Sequence, residues 1–228
     1  MSMNFGREQA LLRQRLTAAG SPERAARQAE RHGEAVKFLG TDDAEVLAAA
    51  AELTDTYPQM GRAQMTAFVR TLWQSGIHEL RAVGVEILAR RVALLEPPDV
   101  PFLTGLLKDE GVEALAERIA GDVLGPLVGR NKKLWRDLQK LAKGANVRLR
   151  RAAVRAARAP IAADGAVFDR FEDLVTPLLA EADELLQRAI DEVLRAAALH
   201  DADAVRAFAA THDREVAMPR ARPKAKAS

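Results

Sequence analysis

The sequence predicts an all-α fold, an α-α superhelix of the HEAT-like/ARM-type solenoid kind. Three features of the 228-residue chain predict it. Alanine, leucine, arginine and glutamate dominate, aromatics make up only 4%, and β-branched runs are scarce, which is a helix-forming composition. Helical periodicity of apolar residues recurs between short breaks along most of the chain. The helix pairs repeat at intervals of roughly 35–40 residues, with apolar faces that only neighbouring pairs can bury. A plain helical bundle is the alternative architecture.

The first helix spans Phe5–Ala19, and Ser21 caps a second, because Ser-Pro-Glu-Arg puts an N-cap before a proline at N1. That helix ends towards Gly33. The tight turn Phe38-Leu39-Gly40 leads into Thr41-Asp42-Asp43, another N-cap signal, and a helix to about Asp55. Further helices are expected at 60–74, 77–95, 99–108, 111–119, 121–129, 131–143, 146–159, 164–180, 184–199 and 201–211. Pro97-Pro98 separates the helix at 77–95 from the one at 99–108, since proline cannot continue a helix. These elements make one domain, 1–213, with a basic tail at 214–228 whose PRARPKAKAS has nothing to bury and is expected to be disordered.

Composition excludes several kinds of chemistry. The chain has no cysteine, so disulfides and thiolate metal sites are ruled out. Its four histidines (His32, His78, His200, His212) show no ligand spacing, and no metal or cofactor is expected. No stretch approaches the ~20 apolar residues of a membrane span. The N-terminal segment lacks the apolar core of a signal peptide. These features lead to the expectation of a cytoplasmic protein with no membrane partner.

Charge is informative where it is uneven. The net charge is only +2, yet between Arg130 and Arg158 stand eleven lysines and arginines and a single acid, Asp137. Lys132, Arg136, Lys140 and Lys143 fall on one stripe of a helix, and Arg148, Arg151, Arg155 and Arg158 on one stripe of the next. Leu134, Leu138 and Leu141 supply the apolar face of the first helix; Leu149, Ala153 and Ala156 supply that of the second. Solvated helix faces ordinarily alternate sign. A one-sign stripe instead predicts a polyanion surface, where bound cations release condensed counterions from a phosphate backbone.

Four segments in order carry a resemblance to a known family. FVRTLWQSGIHELRAVGVEIL (68–88) resembles the characteristic second-repeat segment of the DNA alkylation repair family, the AlkD-like DNA glycosylases built from HEAT-like repeats. Lys37-Phe38-Leu39-Gly40 is similar to its early FLG turn, NVRLRRAAV (146–154) to its Asn-x-Trp-x-x-Arg-Ala-Ala-Ile segment, and LQRAIDEVLR (186–195) to its QKAIGWVLR segment. Together they span about 20–212. The resemblance implies a solenoid curved with a basic concave face, which forms a channel for double-stranded DNA, alkylated or distorted. It implies excision of cationic N3- or N7-alkylated purines without metal or organic cofactor, and without drawing the lesion into a pocket. In active members two tryptophans and an aspartate flank the lesion deoxyribose, and an arginine grips the backbone nearby. The chemistry is reasonable, because a cationic purine leaves readily and a fixed carboxylate stabilises the oxocarbenium-like sugar left behind. Tryptophan faces favour the same positive charge.

Carried over residue by residue, the arginine falls on Arg151 and the catalytic aspartate on Glu117. The first tryptophan falls on Glu113, the second on Glu192, and the tryptophan of the Asn-x-Trp segment on Arg148. The basic grip is thus retained, the carboxylate is one methylene longer, and both lesion-contact tryptophans have become carboxylates that repel phosphate. The expectation is a DNA-binding relative with a diverged site, in which base excision is reduced, altered or absent. Two alternatives stand beside it: an active glycosylase using Glu117, and a non-enzymatic solenoid that binds an acidic protein on the same basic face. The plainer readings of the acids are a solvated helix face for Glu113 and Glu117, and intrahelical ion pairs with Arg188 and Arg195 for Glu192. Trp73 and Trp135, the only tryptophans, read as core residues or, for Trp135, a groove wall.

Overall fold

The computed structural model describes residues 3–33 and 36–216. The chain divides into two compact units, Met1–Val123 and Leu124–Ser228. The described residues are all-α, with one isolated parallel bridge between Lys37 and Ile77. Helices pack on near neighbours in chain order, the connectivity of an α-α superhelix. No helix among the described residues is long and apolar enough to cross a membrane.

The first unit contains α1 (Phe5–Ala19), α2 (Pro22–His32), α3 (Asp43–Thr56), α4 (Arg62–Gln74), α5 (His78–Arg90), α6 (Val100–Asp109) and α7 (Glu113–Arg118). Side-chain oxygens of Asn4, Ser21 and Asp42 cap the first three helices, each occupying an N–H that the helix leaves without a partner. Helix α5 packs on α3 and α4, and α1 lies against all three. Phe68, Leu72, Leu80 and Leu88 are fully buried at the centre, each contributing about 1.5–3 kcal/mol. The FLG turn is fixed from a distance. Glu79, buried on α5, accepts N–H bonds from Leu39 at 2.9 Å, Gly40 at 2.8 Å and Thr41 at 3.4 Å. Gly40 has φ +75°, and a Cβ there would lie 2.1 Å from the Ser21 carbonyl oxygen, so only glycine fits.

The second unit contains α8 (Gly125–Arg130), α9 (Trp135–Ala142), α10 (Val147–Ala163), α11 (Phe168–Val175), α12 (Glu184–Ala197) and α13 (Ala202–Thr211). Helix α10 is its hub, touching α8, α9, α11 and α12. Buried Ala152, Ala153, Ala156 and Ala157 let those helices approach closely. Phe171, Leu186, Ile190 and Leu194 fill the space beside them.

Several boundaries differ from the sequence expectation. The helix expected at 77–95 ends at Arg90 and tightens into a 3-10 turn, Val92–Leu94, as helix ends commonly do. No break separates 111–119 from 121–129; a π-helical segment, Ile119–Leu124, joins them. Helix α10 continues through Pro160 to Ala163, since a proline so near the end forfeits one backbone bond without disrupting earlier turns. The segment 164–180 is α11 flanked by 3-10 turns, Gly165–Val167 and Thr176–Leu178. Arg214, the first residue of the expected tail, is docked on α12 through Asp191 at 2.8 Å and Gln187 at 2.7 Å. The remainder of the expected disordered tail, from 217 onward, lies outside the described residues.

Candidate nucleic-acid interface

The two basic stripes differ in their partners. On α9 and the 3-10 turn before it, Leu134, Trp135, Leu138 and Ala142 are buried. That packing turns Lys132, Lys133, Arg136, Lys140 and Lys143 to solvent. Lys140 meets the one local acid, Asp137, at 3.3 Å on the exposed face, an arrangement that contributes little. The α9 cations are therefore presented to whatever lies outside.

Helix α10 begins at Asn146, whose side chain accepts from the Leu149 N–H at 3.2 Å. Arg148 and Arg158 are exposed. Arg151 and Arg155 are mostly buried, with 16% and 13% of their side chains accessible, and both are bound by carboxylates of the α12 region. Arg151 makes a bidentate pair with Asp183, Nε to Oδ1 at 2.9 Å and Nη2 to Oδ2 at 2.5 Å. Arg155 reaches Glu192 at 3.0 Å. Nearby, Arg150 binds Glu181 at 3.0 Å and the Gly144 carbonyl at 2.9 Å. Glu192 is thus engaged across helices with Arg155, while Arg188 pairs with Glu184 on its own helix.

Asp183 has two roles, because its Oδ1 also receives the Leu186 N–H at 2.7 Å as the N-cap of α12. The Arg151 hydrogen bonds hold its carboxyl below the usual aspartate range, against the opposing effect of burial. An aspartate ahead of an apolar run is a legible cap signal. Nothing in the local sequence indicates the arginine it also binds, 32 positions earlier.

Glu113 and Glu117 lie in the first unit, one turn apart on α7 and partly accessible. Buried Val112, Leu115 and Ile119 anchor that helix. Its rotation is set by Arg118, which sequence reasoning did not single out. The guanidinium reaches Glu86 of α5 at 2.5 Å and Asp122 at 3.4 Å, and Glu86 also accepts from Arg90 at 2.9 Å. Burial alone would lower the Arg118 pKa, but the bond to Glu86 and the neighbouring charges outweigh it and raise the value. The π-helical segment starts directly after α7, and such segments are common beside functional sites. Trp73 is buried, donates to Asp109 at 2.9 Å and carries the Arg81 guanidinium 4.8 Å above its ring. It is structural.

Helices α9 and α10 of the second unit present exposed cations, and α7 of the first unit carries two partly accessible carboxylates. Among the described residues, no group of three or more histidines and acids is placed to hold a metal ion. A family model described as DNA alkylation repair enzyme matches residues 12–225. A solved structure, a predicted DNA alkylation repair enzyme from Enterococcus faecalis, has a similar fold with a TM-score of 0.71 at 14% identity. The alignment covers 84% of this chain and 89% of that one. No curated protein matches significantly.

Proposed function

Because the chain belongs to the DNA alkylation repair family, we propose that it binds double-stranded DNA, alkylated or distorted, with base-excision chemistry reduced, altered or absent. The observation that carries the binding half is the α9 row. Lys132, Arg136, Lys140 and Lys143 are all exposed, with Asp137 the only acid among them. Arg148 extends the surface onto α10, whereas Arg151 and Arg155 would first have to exchange Asp183 and Glu192 for phosphate. Such contacts hold the backbone and read no bases, so binding should be independent of sequence and weaken steeply with salt. The protein would act as a cytoplasmic monomer at the nucleoid.

Glu117 is the candidate catalytic group. A carboxylate there can stabilise an oxocarbenium-like sugar electrostatically, although its added methylene alters reach, to which positioned catalysis is sensitive. Glu113 and Glu192 stand where the family's tryptophans would, and carboxylates supply no aromatic face. These exchanges favour weakened excision over full activity.

The deciding experiment measures free base released from duplex DNA carrying 7-methylguanine and 3-methyladenine, with binding to the same duplexes recorded in parallel. Tight, salt-sensitive binding with little release supports the proposal. Full release that disappears in Glu117→Gln would instead establish an active glycosylase. Failure to bind duplex DNA would leave an acidic protein as the partner of the basic face.

A further inference from the structure

The first unit carries a groove that the DNA-binding reading does not use. It runs between α1 and α3 and has a volume of about 460 Å³. Buried Leu12, Ala49 and Leu53 form its floor. On the α1 wall stands Leu11, 48% exposed and one of three large apolar side chains exposed among the described residues. Ala18, also exposed, continues that wall two turns further along α1. Side chains fix the two walls. Arg15 of α1 bonds Glu45 at 2.5 Å and Glu52 at 2.6 Å on α3, and the Tyr57 hydroxyl donates to Glu8 at 2.8 Å. A groove set in this way is ordered before anything binds, which lowers the cost of association.

The charge around it has one sign in excess. From Phe38 to Gly61 the chain has five acids, Asp42, Asp43, Glu45, Glu52 and Asp55, and no lysine or arginine. Arg15 answers two of them, yet Glu52 keeps 72% of its side chain accessible. Asp55 is exposed and has no ion-pair partner among the described residues. It lies three positions after Glu52, so both project from the same side of α3. A phosphate backbone is repelled by such a rim, so DNA does not suit this groove. A segment with an apolar side and flanking cations does. The furrow between two packed helices has the form that a third helix fills, ridges into grooves. From Glu8 to Ala18 the α1 wall is about 15 Å long, room for helical anchors at i, i+4 and i+7.

We propose that this groove docks a basic amphipathic helix of a partner protein, with aliphatic side chains against Leu11 and lysines or arginines at Glu52 and Asp55. The apolar floor supplies the affinity, and the acidic rim sets orientation and speeds encounter. The proposal stands apart from the DNA-binding reading, since no residue of the α9 row takes part.

The test uses the full chain and two synthetic helical peptides of about 14 residues, roughly four turns. Both carry leucines and alanines on one face. One has lysines flanking that face, the other glutamates at the same positions. In anisotropy titrations the lysine peptide should bind at least about tenfold more tightly than the glutamate peptide, and its affinity should fall with salt. Leu11→Gln should weaken the lysine peptide about tenfold, the scale of one apolar anchor. Asp55→Lys should weaken it less and flatten its salt dependence. Both positions are exposed, and an unchanged circular dichroism spectrum verifies that each variant is folded. Equal affinities for the two peptides, or lysine-peptide binding that survives both substitutions, would overturn the proposal. Self-association in sedimentation that Leu11→Gln abolishes would put a second copy of the chain in the groove and overturn the partner helix.

Discussion

Asp183 holds Arg151 through both of its carboxylate oxygens while serving as the N-cap of α12. Asparagine caps about as well as aspartate but cannot form the bidentate ion pair. Asp183→Asn should therefore cost about 1 kcal/mol or less, the scale of a partly accessible pair, and Asp183→Ala about 1 kcal/mol more because the cap is removed as well. Urea denaturation distinguishes them; equal losses would mean that the cap contributes nothing beyond the ion pair. The pH dependence has a definite sign. A carboxyl depressed below the ~3.9 of unfolded aspartate stabilises the fold above that value and loses this contribution as pH falls through its folded pKa. The gap between wild type and Asp183→Asn should thus hold at neutral pH and close only in acid below about 4.

If the α9 row holds DNA, each cation that touches a phosphate releases counterions. Single alanine substitutions of Lys132, Arg136, Lys140 and Lys143 should each flatten the plot of log affinity against log salt by about 0.9 for every phosphate no longer neutralised. The loss should be uniform across DNA sequences. Binding titrations over a salt series check this, and an unchanged slope in all four variants would remove α9 from the interface.

If Glu113 and Glu192 occupy the lesion-contact positions, restoring aromatic faces there should raise base release. A tryptophan beside a cationic sugar is worth about 0.5–2 kcal/mol, so Glu113→Trp should raise base release from 7-methylguanine DNA by up to about thirtyfold. Glu192→Trp carries an added cost, because it removes the carboxylate that Arg155 binds at 3.0 Å. Release rates measured with Glu113→Trp alone and with both substitutions check this, and thermal melting of the double variant reports the cost.

His78 gives the first unit a different pH response. Burial lowers its pKa, and its Nδ1 is buried with no hydrogen-bond partner among the described residues. The unfolded chain therefore binds this proton more readily than the folded one, and stability should fall as pH drops from about 6.5 towards the lower folded value. His78→Gln should flatten the melting temperature over that interval; an unchanged profile would assign the dependence to another group.

The helical character of the chain is plain in its sequence because periodicity and caps are local. The opening helix Phe5–Ala19 and the caps at Ser21 and Asp42 all appear in the structure. The joins are harder to read. Gly121 looks like a break yet lies within the π-helical segment, and Pro160 looks like a stop yet lies within α10, because tertiary packing overrides local preference in both places. Spacing also brings out the two basic stripes but cannot say which cations face solvent. That depends on Asp183 and Glu192, more than 30 positions away from the arginines they bind. The anchoring of α7 through Glu86 and Arg118 is equally hidden, since those residues lie 32 positions apart.

The bonds from Leu39, Gly40 and Thr41 to Glu79 join the FLG turn to a helix about 40 positions later in the chain. A turn tied in this way has no independent persistence, because its amides lose their acceptor whenever α5 withdraws. Those three protons should then exchange with solvent deuterium together, at a rate set by the opening of α5 and not by local fraying. The FLG turn is in that sense a readout of long-range order, and the loops of this fold need not be its loosest parts.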